Sequence, residues 1–257
     1  MSSGDPFTLS GKVALITGGS RGLGLAIAKE FAAAGAAGVV IASRNEERLA
    51  RAVSEVAETG VRCLGVPGDV TIEDDVDEIV RRSVAEFERL DIVVNNAGGA
   101  TFKSTVKDMK PEGWRKMIDL NLYSTFLVSR AVLECWEHDP RSGRSILNIG
   151  STASLRAFPE LAYYSASKHG LVGLTKTLAR EVARSGVRVN VLCPHLLETE
   201  LTATYRSHPN FEQFVDDIPM QRWGEVAEIA RVARFLASDA ASYVTGAVLA
   251  VDGGWSS

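Results

Sequence analysis

Thr17-Gly18-Gly19-Ser20-Arg21-Gly22-Leu23-Gly24 is the stretch whose reading decides the fold. An apolar run, Lys12–Thr17, precedes it and reads as a strand. Leu23–Ala34 follows with helical character until Gly35 stops it. Strand, glycine-rich turn and helix start, in that order, are what a dinucleotide site requires. Glycines permit the tight turn and let the backbone approach a pyrophosphate, while the helix N-terminus presents free N–H groups and the positive end of its dipole. Close helix–sheet packing alone would also use glycines, so the position between strand and helix carries the argument. Gly18, Ser20, Arg21, Gly22, Leu23 and Gly24 are therefore the first candidate cofactor residues.

The alternation continues outward. Val39–Ser43, Val61–Val66, Asp91–Asn95, Ser145–Ile149, Val187–Cys193 and Ala247–Val251 read as further strands. Helices are expected over Glu46–Thr59, ended by Gly60, and from a Thr71/Asp74 capping box to about Arg89. Others are expected over Pro111–His138, Tyr163–Arg184 (ended by Gly186) and Glu225–Ala237, with residues 195–220 irregular or short-helical. The strands are short continuous apolar runs, the pattern of strands covered on both faces. Strands alternating with helices imply right-handed crossovers and a parallel sheet. With no linker, repeat or composition break, residues 1–257 read as one α/β domain, doubly wound and Rossmann-type, on a seven-stranded parallel sheet.

Composition narrows the function. Basic side chains number 28 and acidic ones 32, a net charge of -4, so no basic excess exists to hold a nucleic-acid backbone. Cys63, Cys135 and Cys193 lack metal-ligand spacing and read as buried, reduced thiols, which suits a reducing compartment. Met1–Lys12 has no apolar signal-peptide core, and the uncharged run Phe31–Ser43 is shorter than the roughly 20 residues of a membrane span. A cytoplasmic protein without metal or membrane partner is the expectation.

The second strand addresses the cofactor. An NAD site usually carries an acidic residue about 20 positions beyond the turn, on the ribose 2′-hydroxyl. Here the stretch is Ala42-Ser43-Arg44-Asn45, with no carboxylate before Glu46. Arg44 and Ser43, with Arg21 from the turn, could grip a 2′-phosphate, for which guanidinium forks are suited. Both arginines could equally be solvated surface residues. The absence of an acidic competitor favours NADP(H).

Tyr164-Ser165-Ala166-Ser167-Lys168 opens the later long helix and places Tyr164 and Lys168 on one helical face, with Tyr163 off that register. Reduction of a carbonyl needs an acid for the nascent alkoxide. A tyrosine pKa of roughly 10 must come down for that task, and a lysine cation nearby would lower it. Taken alone, the pair reads better as a core aromatic beside a surface lysine.

Together these motifs resemble the short-chain dehydrogenases/reductases, 3-oxoacyl reductases among them, over nearly the full length. The Thr17–Gly24 turn, Asn95-Asn96-Ala97-Gly98 after the fourth strand, Asn121, Ser151, the Tyr164/Lys168 pair and Val251-Asp252-Gly253-Gly254 occur in the family's order. The resemblance implies an oxidoreductase that interconverts a ketone and a secondary alcohol by hydride transfer. It implies that Ser151 polarises the carbonyl, Tyr164 moves the proton, Lys168 binds the nicotinamide ribose and tunes Tyr164, and Asn121 holds a water. Asp69 and Val70 fall at the adenine; Asn45, Asn96, Ala97, Gly98, Pro194, His195, Leu197 and Thr199 complete the implied cofactor contacts. Sugar or polyol dehydrogenases are the alternative within the family. A non-catalytic NADP(H)-binding regulatory protein is the alternative outside it, disfavoured because all four catalytic positions are filled.

One departure stands out. The family's proline-glycine after the sixth strand is here Pro194-His195. A ring at that position is expected either to point to the substrate cleft, as a contact or a pH-sensitive group, or to be a tolerated surface change. Residues 195–220 correspond to the family's substrate lid and carry Tyr205, His208, Phe211, Phe214 and Ile218. The resemblance also implies a homotetramer assembled through the two long helices, where Ala166, Gly170 and Gly173 would allow close packing; Trp255 is placed either at such a contact or on its own domain.

Overall fold

Val13–Thr17 (β1) is buried at every position because helices cover both faces of the sheet around it. Its alternate residues feed two cores. Ala14 and Ile16 pack toward one layer with Ile27, Phe31, Leu49 and Ile229; Val13 and Leu15 pack toward the other with Val76, Ile79, Leu127 and Val132. A computed structural model describes residues 5–199, 202 and 215–257 of the chain. Helices α1 (Gly22–Ala33) and α2 (Glu46–Ala57) lie in the first layer, and α3 (Glu73–Phe87) in the second.

The remaining strands are β2 (Gly38–Ser43), β3 (Cys63–Pro67), β4 (Ile92–Asn95), β5 (Arg144–Ile149) and β6 (Val187–Pro194). A two-residue strand β7 (Leu197–Glu198) pairs with β8 (Gly224–Glu225), and β9 (Val248–Val251) closes the main sheet. That sheet is parallel throughout, in the order β3-β2-β1-β4-β5-β6-β9. Central strands are wholly buried, and the edge strands β3 and β9 are partly exposed. The order reverses between β1 and β4, so their carboxyl ends flank a crevice, the usual place for a ligand in such sheets.

All seven strands expected for the sheet are present. Two helix expectations are corrected. No Thr71/Asp74 capping box forms: Ile72 is the N-cap of α3 without a side-chain cap. Asp69 has already turned the chain, its carboxylate accepting from the backbone N–H and hydroxyl of Thr71 at 3.0 and 2.8 Å, while Asp75 accepts from the Asp69 N–H. The helix expected over Pro111–His138 is three pieces: α4 (Pro111–Ile118), a π-helical turn (Asp119–Tyr123) and α5 (Ser124–Trp136). The turn leaves the regular ladder because the Asn121 side chain bonds backbone outside it. The second long helix, α6 (Ala162–Val182), ends in a 3-10 turn at Gly186, whose φ of 71° suits glycine. α7 (Val226–Ala237) joins the first layer.

The β7–β8 ladder was not legible: β7 falls in the segment read as irregular, and β8 ends on Glu225, which was read as the start of the last helix. Lid residues Tyr205, His208, Phe211 and Phe214 lie outside the described residues, while Ile218 is buried. The cysteines are all free, but Cys63 and Cys135 are only half-buried, which corrects the expectation for those two. Among the described residues no helix is long and apolar enough to cross a membrane, and no cluster of His, Cys, Asp or Glu has a metal-binding arrangement.

Candidate active site

The crevice between β1 and β4 is built by hydrogen bonds from the glycine turn. The Thr17 hydroxyl accepts from the backbone N–H groups of Asn96 and Ala97, each at 3.1 Å. The Asn96 amide donates back to the carbonyls of Thr17 and Gly18. The glycines divide their work. A Cβ at Gly18 would meet Ala97 Cα at 2.9 Å, and one at Gly24 would meet Asn96 Nδ2 at 2.5 Å, so these two are fixed by close packing. Gly22 shares a positive φ with Gly18, +54° against +64°, but differs in space: a Cβ there would find only Thr199 Cγ2, at 3.9 Å. Its backbone faces an open groove, where α1 begins without a side-chain cap at Arg21. Uncapped N–H groups beneath an open floor fit an anionic group such as a pyrophosphate.

Two adjoining hollows form this groove and share Gly18, Arg21, Asn96 and Gly98. One holds Ser20, Ser43, Arg44, Asn45, Asp69, Val70 and Ala97. There the hydroxyls of Ser20 and Ser43 lie 2.8 Å apart, and exposed Arg44 pairs with Asp69 at 3.3 Å. Partial desolvation works against the Asp69 carboxylate, but hydrogen bonds from Thr71 and the charge of Arg44 hold its pKa below the usual value. Arg48 lines the same hollow, a third arginine that the sequence reading missed. The available signal was its place in the first turn of the helix that follows Ser43-Arg44-Asn45.

The other hollow joins Gly22, Leu23 and Gly24 to Ser151, Tyr164, Lys168, Pro194, His195, Leu197 and Thr199. Ser151 caps the 3-10 turn Thr152–Ser154, its hydroxyl accepting from the Ala153 N–H at 3.1 Å. In the first turn of α6, Tyr163 is buried and donates to the Phe102 carbonyl at 2.6 Å, whereas Tyr164 faces the hollow. Desolvation of the Tyr164 hydroxyl raises its pKa above the ordinary tyrosine value, and a hydrogen bond with Ser151 pulls against that rise. Lys168 is buried, its ammonium 5.6 Å from the Tyr164 ring centroid and donating to the Ile149 carbonyl at 2.7 Å. Burial lowers its pKa to about 8. Burial, and not the lysine, is therefore the largest influence on the Tyr164 phenol, and it favours the protonated form.

Asn121 anchors the third side. Its Oδ1 accepts from the Gly99 N–H at 2.8 Å, and its amide donates to the Gly99 and Met117 carbonyls at 3.0 and 2.9 Å. A Cβ at Gly98 would lie 2.8 Å from Asn121 Oδ1 and 3.6 Å from Lys168 Nζ, so the three groups converge on one point. The side chain of Asn121 is thus spent on the loop after β4.

His195 adopts no positive φ, so a side chain is accommodated without strain. Its Nδ1 lies 2.9 Å from Thr152 Oγ1, and its ring stacks on Trp255 with centroids 4.4 Å apart. Burial pushes its pKa down to about 4, with Asp252 opposing weakly. It is neutral at physiological pH, and the residue lines the hollow rather than the free surface. Trp255 packs on its own domain.

A family profile described as Enoyl-(Acyl carrier protein) reductase matches residues 18–256. The 3-oxoacyl-[acyl-carrier-protein] reductase of Escherichia coli is 41% identical over 244 residues, covering 95% of this chain and 97% of its own. The chain belongs to the short-chain dehydrogenases/reductases. Solved members of similar shape include a gluconate 5-dehydrogenase from Burkholderia cenocepacia in complex with NADP and tartrate, 36% identical with a TM-score of 0.91, covering 98% of this chain and 97% of its own. A 3-ketoacyl-(acyl-carrier-protein) reductase from Brucella melitensis complexed with NADH is 37% identical with a TM-score of 0.89, covering 97% and 100%. As a short-chain dehydrogenase/reductase the chain is an oxidoreductase acting at a carbonyl or alcohol carbon, and the hollow of Ser151, Tyr164 and Lys168 has the polarity for that chemistry.

Proposed function

We propose that the protein is an NADP(H)-dependent reductase of a ketone, of the 3-oxoacyl thioester kind. The observation that carries the reading is the convergence of Ser151, Tyr164 and Lys168 on the hollow that opens from the glycine turn. The uncapped start of α1 and the open backbone at Gly22 would hold the pyrophosphate, and Arg21, Arg44, Arg48, Ser20 and Ser43 would hold a 2′-phosphate. Asp69, Val70 and Asn45 would flank the adenosine, and Asn96, Ala97, Gly98, Pro194, Leu197 and Thr199 the rest of the cofactor. The bound dinucleotide supplies the hydride.

The chain's own residues do the remainder. Ser151 donates to the carbonyl oxygen and polarises it. Tyr164, kept protonated by its surroundings, donates its proton to the oxygen as negative charge develops there. Lys168 places a cation beside the ribose hydroxyls and, once the site is filled, beside the phenolate. Asn121 fixes the loop at Gly98–Gly99 against which the ring would lie. A polyol dehydrogenase is the second reading, favoured by the likeness to the gluconate 5-dehydrogenase.

Relatives named 3-oxoacyl reductases support the substrate class. The substrate is a small molecule, the setting cytoplasmic, and the assembly a homotetramer through α4, α5 and α6. The test follows NADPH oxidation with 3-oxobutanoyl thioesters, simple ketones and sugar acids. Thioester turnover with NADPH preferred over NADH is expected. Tyr164→Phe should lower kcat by about 10²–10⁴-fold while NADPH still binds; retained turnover would overturn the mechanism.

A further inference from the structure

We infer that His195 sets substrate size: its imidazole is a wall between the catalytic hollow and an adjoining apolar cavity, and restricts the enzyme to ketones with short chains. The inference rests on the ketone-reductase reading above.

The second cavity lies behind the end of β6, between α7, the end of β9 and the segment before β8. Among the described residues its apolar lining is Ile218, Met220, Ile229, Ala250 and Val251, with His195 and Leu196, and its charged lining is Arg222, Glu228 and Asp252. His195 and Leu196 are also the two residues that line the catalytic hollow beside Ser151, Tyr164 and Lys168. The partition between the two spaces is therefore this dipeptide. The polar groups around the second cavity are satisfied. Arg222 forms a two-pronged ion pair with Glu228 at 2.7 Å, and Asp252 accepts from the N–H groups of Gly254 and Ser256, each at 3.0 Å. What they leave is apolar space, which suits an alkyl chain.

The wall is held in place. Thr152 Oγ1 fixes the ring at Nδ1, and Trp255 covers one face at an interplanar angle of 17°. Trp255 itself stacks on Phe158 with centroids 5.3 Å apart. Arg156 lies 5.6 Å from the Trp255 ring and donates to the carbonyls of Ser256 and Ser257, tying the C-terminal turn down. Turning the imidazole aside would break the Thr152 bond and the stack together. A glycine at 195 would remove the ring and join the two spaces, whereas Leu196 would remain.

The experiment compares the wild type with His195→Gly and with His195→Gly/Met220→Trp, which sets an indole at the exposed rim of the second cavity. Retained melting temperature and NADPH affinity establish that each variant is folded. Turnover with NADPH is measured on ethyl 3-oxoesters of four to twelve carbons, and binding of 1-decanol to the NADPH complex is measured by calorimetry. His195→Gly is expected to raise the ten-carbon to four-carbon ratio of kcat/KM at least tenfold and to bind 1-decanol at least tenfold more tightly. Met220→Trp should cancel both gains. An unchanged ratio and unchanged 1-decanol affinity in folded His195→Gly would overturn the inference, as would gains that survive Met220→Trp. Absence of turnover by every protein on every ester would instead overturn the ketone-reductase reading, and the 1-decanol titration would still decide the wall.

Discussion

Lys168 is a buried cation whose hydrogen bond among the described residues goes to a single carbonyl, that of Ile149. Such a group costs stability rather than adding it, and its pKa of about 8 records the cost. Lys168→Met is therefore expected to abolish turnover yet raise the unfolding free energy of the cofactor-free protein by about 1–2 kcal/mol at pH 7, read by urea denaturation. His195, at about 4, is also depressed from its ordinary 6.5. Between those values the unfolded chain binds the proton and the folded one does not, so stability falls as pH drops from 6.5 to 4. His195→Phe should flatten that limb of the pH–stability profile, and an unchanged slope would argue against the burial. In the other hollow, Arg44→Ala combined with Arg48→Ala is expected to weaken NADPH binding at least tenfold while changing NADH binding little, measured by fluorescence titration. Tyr164, Lys168 and Ser151 were named through the family resemblance, because the four-residue spacing of Tyr164 and Lys168 by itself reads as well for a core aromatic beside a lysine. Arg48 and the Thr17 hydroxyl were not, because their work depends on which neighbours the fold brings near.

Among the elements, the α4–π turn–α5 unit shows what a periodic pattern hides. The run over Pro111–His138 is apolar at helical spacing, and a single helix is its natural reading. The break at Asp119–Tyr123 follows from Asn121, whose three side-chain bonds hold Gly99 and the Met117 carbonyl. π-helical turns occur often at functional sites because they re-aim one residue. Asn121→Ala should cost about 1–3 kcal/mol of stability and lower kcat more than it raises KM, since the loop at Gly98 loses its anchor; thermal melts and steady-state kinetics read the two effects. The Thr71/Asp74 motif is the opposite case. The motif matched, but the Asp69 turn captured Thr71 first and left Ile72 at the cap. Competition between two local hydrogen-bond schemes is decided by where the preceding strand delivers the chain.

For the molecule as a whole, α4, the π turn and α5 expose Trp114, Tyr123 and Phe126, the last two stacked 5.9 Å apart. Gly170 is used within the subunit, where a Cβ would meet Leu122 at 2.9 Å, so only Gly173, open around its Cβ position, and exposed Ala166 remain for a helix contact. Light scattering after size exclusion is expected to give four chains, and Tyr123→Glu with Phe126→Glu should lower that number; a wild-type monomer would refute the assembly. The seven strands, the two layers and the glycine turn followed from the sequence by itself, because strand period, helix stops and glycine placement are set by residues within a few positions of one another. What only the tertiary structure decided is long-range: that Gly18 and Gly24 serve packing while Gly22 faces the groove, that burial raises Tyr164 and lowers Lys168, and that His195 stands between two spaces with Thr152 and Trp255 holding it. Burial and contact between residues far apart in the chain depend on how the layers close around the sheet, and no local pattern encodes that.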